Sequence, residues 1–150
     1  MKKLLLALIV VAAAYQFTMR GGLPQPSTQP SSPAVAVESS ADDILAQAYE
    51  NQRSNIQVRG HGTVQKILSD DNQGSRHQRF LIRLGSGQTL LVAHNIDLAP
   101  RIDSLREGDR VAFFGEYEWN NKGGVLHWTH RDPQGRHAHG WLEHDGRRYE

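Results

Sequence analysis

The last third of the chain concentrates side chains that could bind a metal or transfer protons. His127, His130, Asp132, His137 and His139 lie close together in the sequence. Neutral imidazoles and carboxylates are the usual ligands of zinc and similar metals. Two hypotheses follow. His127, His130 and Asp132 are candidate catalytic acid–base groups, or these three residues and His137 are candidate ligands of a divalent metal such as zinc. We expect His139 to be a solvated loop residue.

The geometry of a strand limits which of these side chains can meet. Successive side chains of a strand point to opposite faces, so His127 and His130 would diverge in a continuous strand. They can converge only if the strand ends near Thr129, which Asp132 and the following proline favour. By the same alternation, we expect Trp128 to face away from His127.

A second group of side chains is typical of ligand binding. Three basic residues occupy one face of a predicted strand, and two polar residues end the next strand. Arginine beside histidine suits phosphate or carboxylate ligands, whereas tryptophan suits sugars and bases by stacking. The alternative is a solvated outer sheet face. The predicted ligand-binding residues are His77, Arg79, Arg83, His94, Asn95 and Trp128.

Alternating residues of a later strand separate a core face from a polar face. We expect Val111, Phe113 and Tyr117 to point into the core. Glu116 and Glu118 then share the opposite face. They are either a carboxylate pair with a chemical role or part of a solvated face.

The elements that must position these groups follow from periodicity and turn residues. Residues 41–53 have an apolar stripe at helical spacing, and Ser40 is a suitable N-cap. Alternating segments then predict strands over 55–68, 77–84, 88–93, 111–119 and 125–129, with a helical connection over 96–105 and a hairpin over 141–149. Three strands, a connection and two strands are the order of an OB-fold. We therefore predict a mostly β, five-stranded OB-fold-like barrel with an N-terminal helix and a C-terminal hairpin.

The N-terminal forty residues do not have a globular pattern. Residues 1–20 carry Lys2 and Lys3 before an apolar run, which predicts either a cleaved signal peptide or an uncleaved membrane anchor. Residues 21–40 are rich in proline, serine and glutamine and predict a disordered spacer. The single domain over 41–150 is thus expected to be exported to the periplasm, with a tether to the inner membrane as one alternative.

Composition removes several classes of function. The chain has no cysteine, which excludes disulfides, thiolate metal sites and a cysteine nucleophile. Seventeen Lys and Arg against sixteen Asp and Glu give a net charge of +1. We therefore expect no strong nonspecific binding of nucleic acid.

Several short motifs, taken together, resemble a known family. They are Gly74–Phe80, Ala93–Ile96, Gly115–Asn120 and His127–His130, followed by Asp132, Pro133, Gly135, His137, Gly140 and Trp141. This set resembles domain-of-unknown-function family 3465, a bacterial family of small exported proteins. The resemblance covers roughly residues 55–149 and implies no activity, substrate or site.

Three functional hypotheses remain. The first is an exported binding module for an anionic or glycan-like ligand. The second is a metal-assisted hydrolase of the phosphoesterase or nuclease type that uses the His and Asp residues. The third is an envelope domain that docks another protein.

Overall fold

The computed structural model describes residues 40–150. The expected export segment lies outside the described residues, and so does the expected spacer apart from Ser40. Within residues 40–150, no helix is long and apolar enough to cross a membrane.

Within residues 40–150, one helix precedes seven strands. The helix α1 is Ala41–Glu50. The strands are β1 (Ile56–Ile67), β2 (His77–Arg83), β3 (Thr89–Asn95), β4 (Arg110–Glu118), β5 (Val125–His127), β6 (Trp141–His144) and β7 (Arg147–Tyr149).

The start of α1 confirms the predicted cap. The Ser40 hydroxyl accepts the Asp43 amide at 3.2 Å, and the Asp43 carboxylate accepts the Ser40 amide at 3.3 Å. These reciprocal bonds form a capping box. The predicted end at Arg53 is wrong, because Gln52 adopts a φ of 51°, in the left-handed region that ends helices. Leu45 and Ala48 are buried in the core.

The strands close a five-stranded barrel in the order β1-β2-β3-β5-β4, and β4 pairs back to β1. Only β3 and β5 run parallel. Strand β1 closes the barrel because its first part pairs with β4 over Ile56–Thr63 and its last part pairs with β2 from Thr63 onwards. Gly60 and Gly62 lie just before this change of partner. This is the OB-fold topology, and β6 and β7 extend β4 as the predicted hairpin.

Alternation along the strands fills the barrel interior. Phe80, Ile82, Leu90 and Val92 of β2 and β3 are fully buried. The prediction for β4 is confirmed: Val111, Phe113 and Tyr117 are all 0% exposed. The residues between these positions therefore face outward, which places the candidate site on the outside of the barrel.

The helix predicted over 96–105 is absent, and turns connect β3 to β4 there. The side chain of Gln78 reaches this segment from β2. Its amide donates to the Ile102 carbonyl at 3.0 Å, and its oxygen accepts the Ile102 N–H at 2.9 Å. Both backbone groups of Ile102 are thus bonded outside a helix, and Pro100 has no N–H to offer to one.

Strand β5 is shorter than predicted and ends at His127. Trp128 has a φ of 51°, which is rare for a bulky residue. This conformation interrupts the alternation, so the expectation that Trp128 and His127 face opposite ways is wrong. Two glycines make room for the segment. A Cβ at Gly115 would lie 2.6 Å from the His127 carbonyl oxygen, and one at Gly140 would collide with the Trp128 carbonyl.

Replacing Gly140 tests this close approach. We expect Gly140→Ala to lower the free energy of unfolding by about 3 kcal/mol, because the clash is with backbone atoms that cannot rotate away. The control is Gly135→Ala, where the backbone is left-handed (φ 64°) but no atom lies within 4 Å of the added Cβ. It should cost only about 1 kcal/mol of backbone strain. Urea unfolding measures both, and equal losses would contradict the packing role of Gly140.

Candidate functional site

A surface cavity of about 330 Å³ lies beside the parallel strands β3 and β5. We call it the histidine cavity, and its lining is His77, Ala93, Asn95, Leu98, His127, Trp128 and His130. It unites residues from both predicted groups. His77, Asn95 and Trp128 come from the ligand-binding set, and His127 and His130 come from the catalytic set. His127 and His130 meet here because β5 ends at His127.

Two imidazoles of the histidine cavity have a defined tautomer. His77 Nδ1 lies 2.8 Å from the Ser75 carbonyl, and His130 Nδ1 lies 2.8 Å from the Arg131 carbonyl. A carbonyl only accepts hydrogen bonds, so Nδ1 must carry the proton in each neutral ring. In each ring, Nε2 is then an unprotonated acceptor. The cavity lining therefore offers hydrogen-bond acceptors as well as the Asn95 amide.

His94 lies in the interior next to this cavity, and it is 0% exposed. Its Nε2 donates to the Pro100 carbonyl at 3.2 Å, so its Nδ1 accepts the Thr129 hydroxyl at 2.9 Å. The pKa of His94 is lowered to about 4, mainly by burial and to a smaller extent by the nearby His130 and His77, against the raising effect of the hydrogen bond to the Pro100 carbonyl. His94 is thus a neutral structural link between β3, the connection and Thr129.

The two arginines predicted to bind a ligand, Arg79 and Arg83, do not line the histidine cavity. Arg79 donates to the Ser69 carbonyl at 3.1 Å, and Arg83 donates to the Gln65 side chain at 3.2 Å. Arg83 lines a separate, smaller cavity with Arg110. No Lys or Arg belongs to the lining of the histidine cavity. The positive charge expected for an anionic ligand is therefore missing from this lining.

Asp132 organises the loop that follows β5. Its Oδ1 accepts the Gln134 amide at 2.9 Å, and its Oδ2 accepts the amides of Arg136 and His137 at 2.7 and 2.8 Å. These backbone hydrogen bonds lower the pKa of its carboxyl group. Both oxygens are thus occupied by backbone donors. The combination of Asp132, Pro133 and Gly135 is a turn signal that could have indicated this role.

The Asp132 loop carries His137 back over the barrel. The rings of His137 and Trp128 are stacked, with centroids 3.9 Å apart and planes 7° apart. His137 Nδ1 lies 3.6 Å from a carboxylate oxygen of Glu116. His139, two residues further on, is exposed as expected.

Glu116 and Glu118, which the sequence left as either a carboxylate pair or a solvated face, both lie close to His127. Glu116 is paired with His127 in the β4–β5 register, and Glu118 lies two residues along the same face. His127 Nε2 lies 3.5 Å from Glu116 and 3.9 Å from Glu118. Ligand atoms of these three residues all lie within 4.8 Å of one another. We call this group the carboxylate–imidazole cluster.

The charge state of His127 depends on opposing effects. Burial lowers its pKa most strongly, and the charges of Glu116 and Glu118 oppose that shift. The net effect is a lowered pKa, so the ring is neutral at pH 7.

The sequence could show that Glu116 and Glu118 share a face, but the opposing strand that brings His127 to them is a non-local feature.

The fold and the site define a small OB-fold barrel with a histidine-lined outer cavity next to a carboxylate–imidazole cluster. The model of the family described as "Protein of unknown function (DUF3465)" matches residues 29–150. The chain therefore belongs to this family, as its motifs predicted. A search of curated proteins finds no match to the chain.

The buried neutral His94 gives a pH dependence of stability. Its pKa is about 4 in the folded state against 6.5 in the unfolded chain, so the unfolded state takes up the proton first as pH falls. Stability from this group is complete above pH 6.5 and is lost between pH 6.5 and about 4. We expect the free energy of unfolding to fall by about 2 kcal/mol between pH 7.5 and pH 5.

Urea unfolding at both pH values measures this loss. His94→Gln should be less stable at pH 7.5 and should remove most of the pH dependence, because no buried imidazole remains. His139→Gln, at an exposed position, should keep the parent's slope. An unchanged slope in His94→Gln would contradict the assignment.

Proposed function

We propose that this protein is an exported binding module whose histidine cavity takes a small, uncharged, sugar-like ligand. The observation that carries the proposal is the lining of the cavity. It combines an aromatic and aliphatic wall with imidazole and amide groups, and it has no lysine, arginine or carboxylate. Sites for small ligands are mostly apolar concave surfaces with a few placed polar groups.

The apolar wall suits the C–H face of a sugar. Trp128 supplies an aromatic ring, and Ala93 lies beside it on the outer face of β3. Leu98 is 45% exposed, one of two large hydrophobic side chains so exposed among residues 40–150. A ligand with an apolar face would cover Leu98 and Trp128 together, which stabilises the complex by removing apolar surface from water.

The polar groups suit hydroxyls. The unprotonated Nε2 atoms of His77 and His130 accept hydrogen bonds from donors, and a sugar hydroxyl is such a donor. An ionised carboxylate or phosphodiester group has no proton to donate to them, and the lining has no Lys or Arg to pair with it. Of the two ligand classes that the sequence suggested, a neutral glycan-like ligand is thus better supported than an anionic ligand.

The strained Trp128 also supports a binding role. Bulky residues with positive φ cost roughly 1–3 kcal/mol and persist mainly where function or packing requires them. Here the strain turns Trp128 towards the same cavity as His127. A hydrolase that uses His127, His130 and Asp132 together is less well supported, because Asp132 binds three backbone amides.

The proposal is tested by calorimetric titration with a neutral N-acetylglucosamine oligosaccharide and with polyphosphate at low ionic strength. We expect saturable binding of the neutral glycan and none of polyphosphate. Tryptophan fluorescence should change in parallel, because Trp128 lies in the cavity wall.

Two matched variants locate the site. Trp128→Ala should weaken glycan binding at least tenfold by removing the aromatic wall, a loss of about 1.4 kcal/mol or more. Trp119→Phe is the control, because Trp119 lies at the end of β4 and donates to the Tyr49 carbonyl, away from the cavity. Binding of polyphosphate alone, or equal effects of the two variants, would contradict the proposal.

A further inference from the structure

The carboxylate–imidazole cluster is distinct from the histidine cavity proposed to bind the ligand, although the two share His127. It lies on the outer face of the barrel, where β4 and β5 pair antiparallel. The Glu116 side chain is 13% exposed and that of His127 is 33% exposed. These ionisable groups are thus well shielded for an outer sheet face.

No lysine or arginine in the described part of the chain pairs with the two carboxylates of the cluster. Among residues 40–150, the only basic side chains paired with Glu116 and Glu118 are His127 and His137. The Nε2 atom of His127 is buried and has no hydrogen-bond partner among these residues. An unpaired buried polar atom beside two carboxylates costs free energy unless something binds there.

The distances favour a shared cation over direct hydrogen bonds. His127 Nε2 is 3.5 and 3.9 Å from the two carboxylates, beyond the usual N–H···O range. Two ligands of a tetrahedral zinc, each about 2.0–2.1 Å from the metal, are separated by about 3.3–3.4 Å. The His127–Glu116 distance is close to that value, and side-chain shifts would bring in Glu118, whose ligand atom lies within 4.8 Å of the other two.

His137 is a further candidate donor. Its Nδ1 lies 3.6 Å from Oε2 of Glu116, whereas His127 approaches Oε1. His137 lies outside the group of ligand atoms within 4.8 Å of one another, so its ring must move towards the cluster to become the fourth ligand. The stacked Trp128 ring supports the imidazole from one side, and Asp132 holds the His137 backbone amide. Neighbouring groups that fix the orientation of ligands are typical of metal sites.

We propose that Glu116, Glu118, His127 and His137 form a zinc-type divalent metal site. Two imidazole nitrogens and two carboxylate oxygens form a mixed donor set that suits zinc and similar metals, whereas calcium and magnesium prefer oxygen ligands alone. Two carboxylates also neutralise the charge of one divalent cation. Of the four ligands predicted from the sequence, this set retains His127 and His137. Glu116 and Glu118 take the places of His130 and Asp132.

The test uses the full chain, purified without a histidine tag and treated with chelator. Cobalt(II) is the spectroscopic probe, because its visible absorption reports tetrahedral coordination. We expect one equivalent of cobalt to give that absorption and zinc to displace it. Zinc should also raise the melting temperature at pH 7.5, because a ligand of the native state stabilises it by mass action.

Variants decide which residues bind the metal. Glu116→Gln and His127→Gln should each weaken cobalt and zinc binding at least tenfold, and His137→Gln should do the same. The controls Glu143→Gln and His139→Gln change the same residue types outside the cluster and should bind as the parent does. Circular dichroism identifies any variant that fails to fold, and the cobalt spectrum of the parent remains decisive in that case.

Three outcomes would overturn the metal site. They are no tetrahedral cobalt spectrum in the parent, equal affinities in Glu116→Gln and Glu143→Gln, or stabilisation by magnesium or calcium in preference to zinc. Each differs from failure of the proposed binding function, which is measured with glycan in the presence of chelator. A glycan response without metal binding, or the reverse, separates the two proposals.

Discussion

The candidate site depends on one constraint. Three backbone segments pack closely together on the outer surface of the barrel. Gly115 of β4 lies against the His127 carbonyl, and Gly140 lies against the carbonyl of Trp128. Neither position has room for a Cβ. This packing holds Trp128 in a left-handed conformation, so Trp128 and His127 face one cavity although they are adjacent in sequence. The returning chain then places His137 on the Trp128 ring.

Two buried polar side chains fix the position of the segment that connects β3 to β4, next to the candidate site. Gln78 bonds both backbone groups of Ile102, and His94 joins Pro100 to Thr129. A satisfied neutral group in the interior specifies one arrangement, because each alternative leaves a donor or acceptor unpaired. The connection between β3 and β4 is therefore fixed by side chains rather than by a helix. Its position in turn fixes Leu98 at the cavity.

Local patterns in the sequence predicted most of the fold. The cap at Ser40, the alternation in β2 and β4, and the C-terminal hairpin depend on neighbouring residues only. The barrel order followed from the order of the strands. The end of β5 could not be predicted in this way, because the left-handed Trp128 depends on contacts with Gly140.

The candidate site was predicted only in part, for a related reason. Histidines could be recognised as candidates by type, and five of the predicted residues line one cavity. Which carboxylates join them depends on strand register, which pairs Glu116 with His127. Asp132 was chosen for its residue type, but the turn-forming residues beside it assign its oxygens to the backbone. Residue type thus indicated the chemistry, and non-local pairing determined the partners.

His127 gives the two proposed sites a physical connection. One ring lines the histidine cavity and points its Nε2 at Glu116 and Glu118. A metal bound at Nε2 would fix the orientation of that ring, and His137 as a ligand would fix the stacked Trp128 as well. Both walls of the cavity would then be held before a ligand arrives, which lowers the entropy lost on binding. Linkage is reciprocal, so a ligand that favours this arrangement must raise the metal affinity by the same factor.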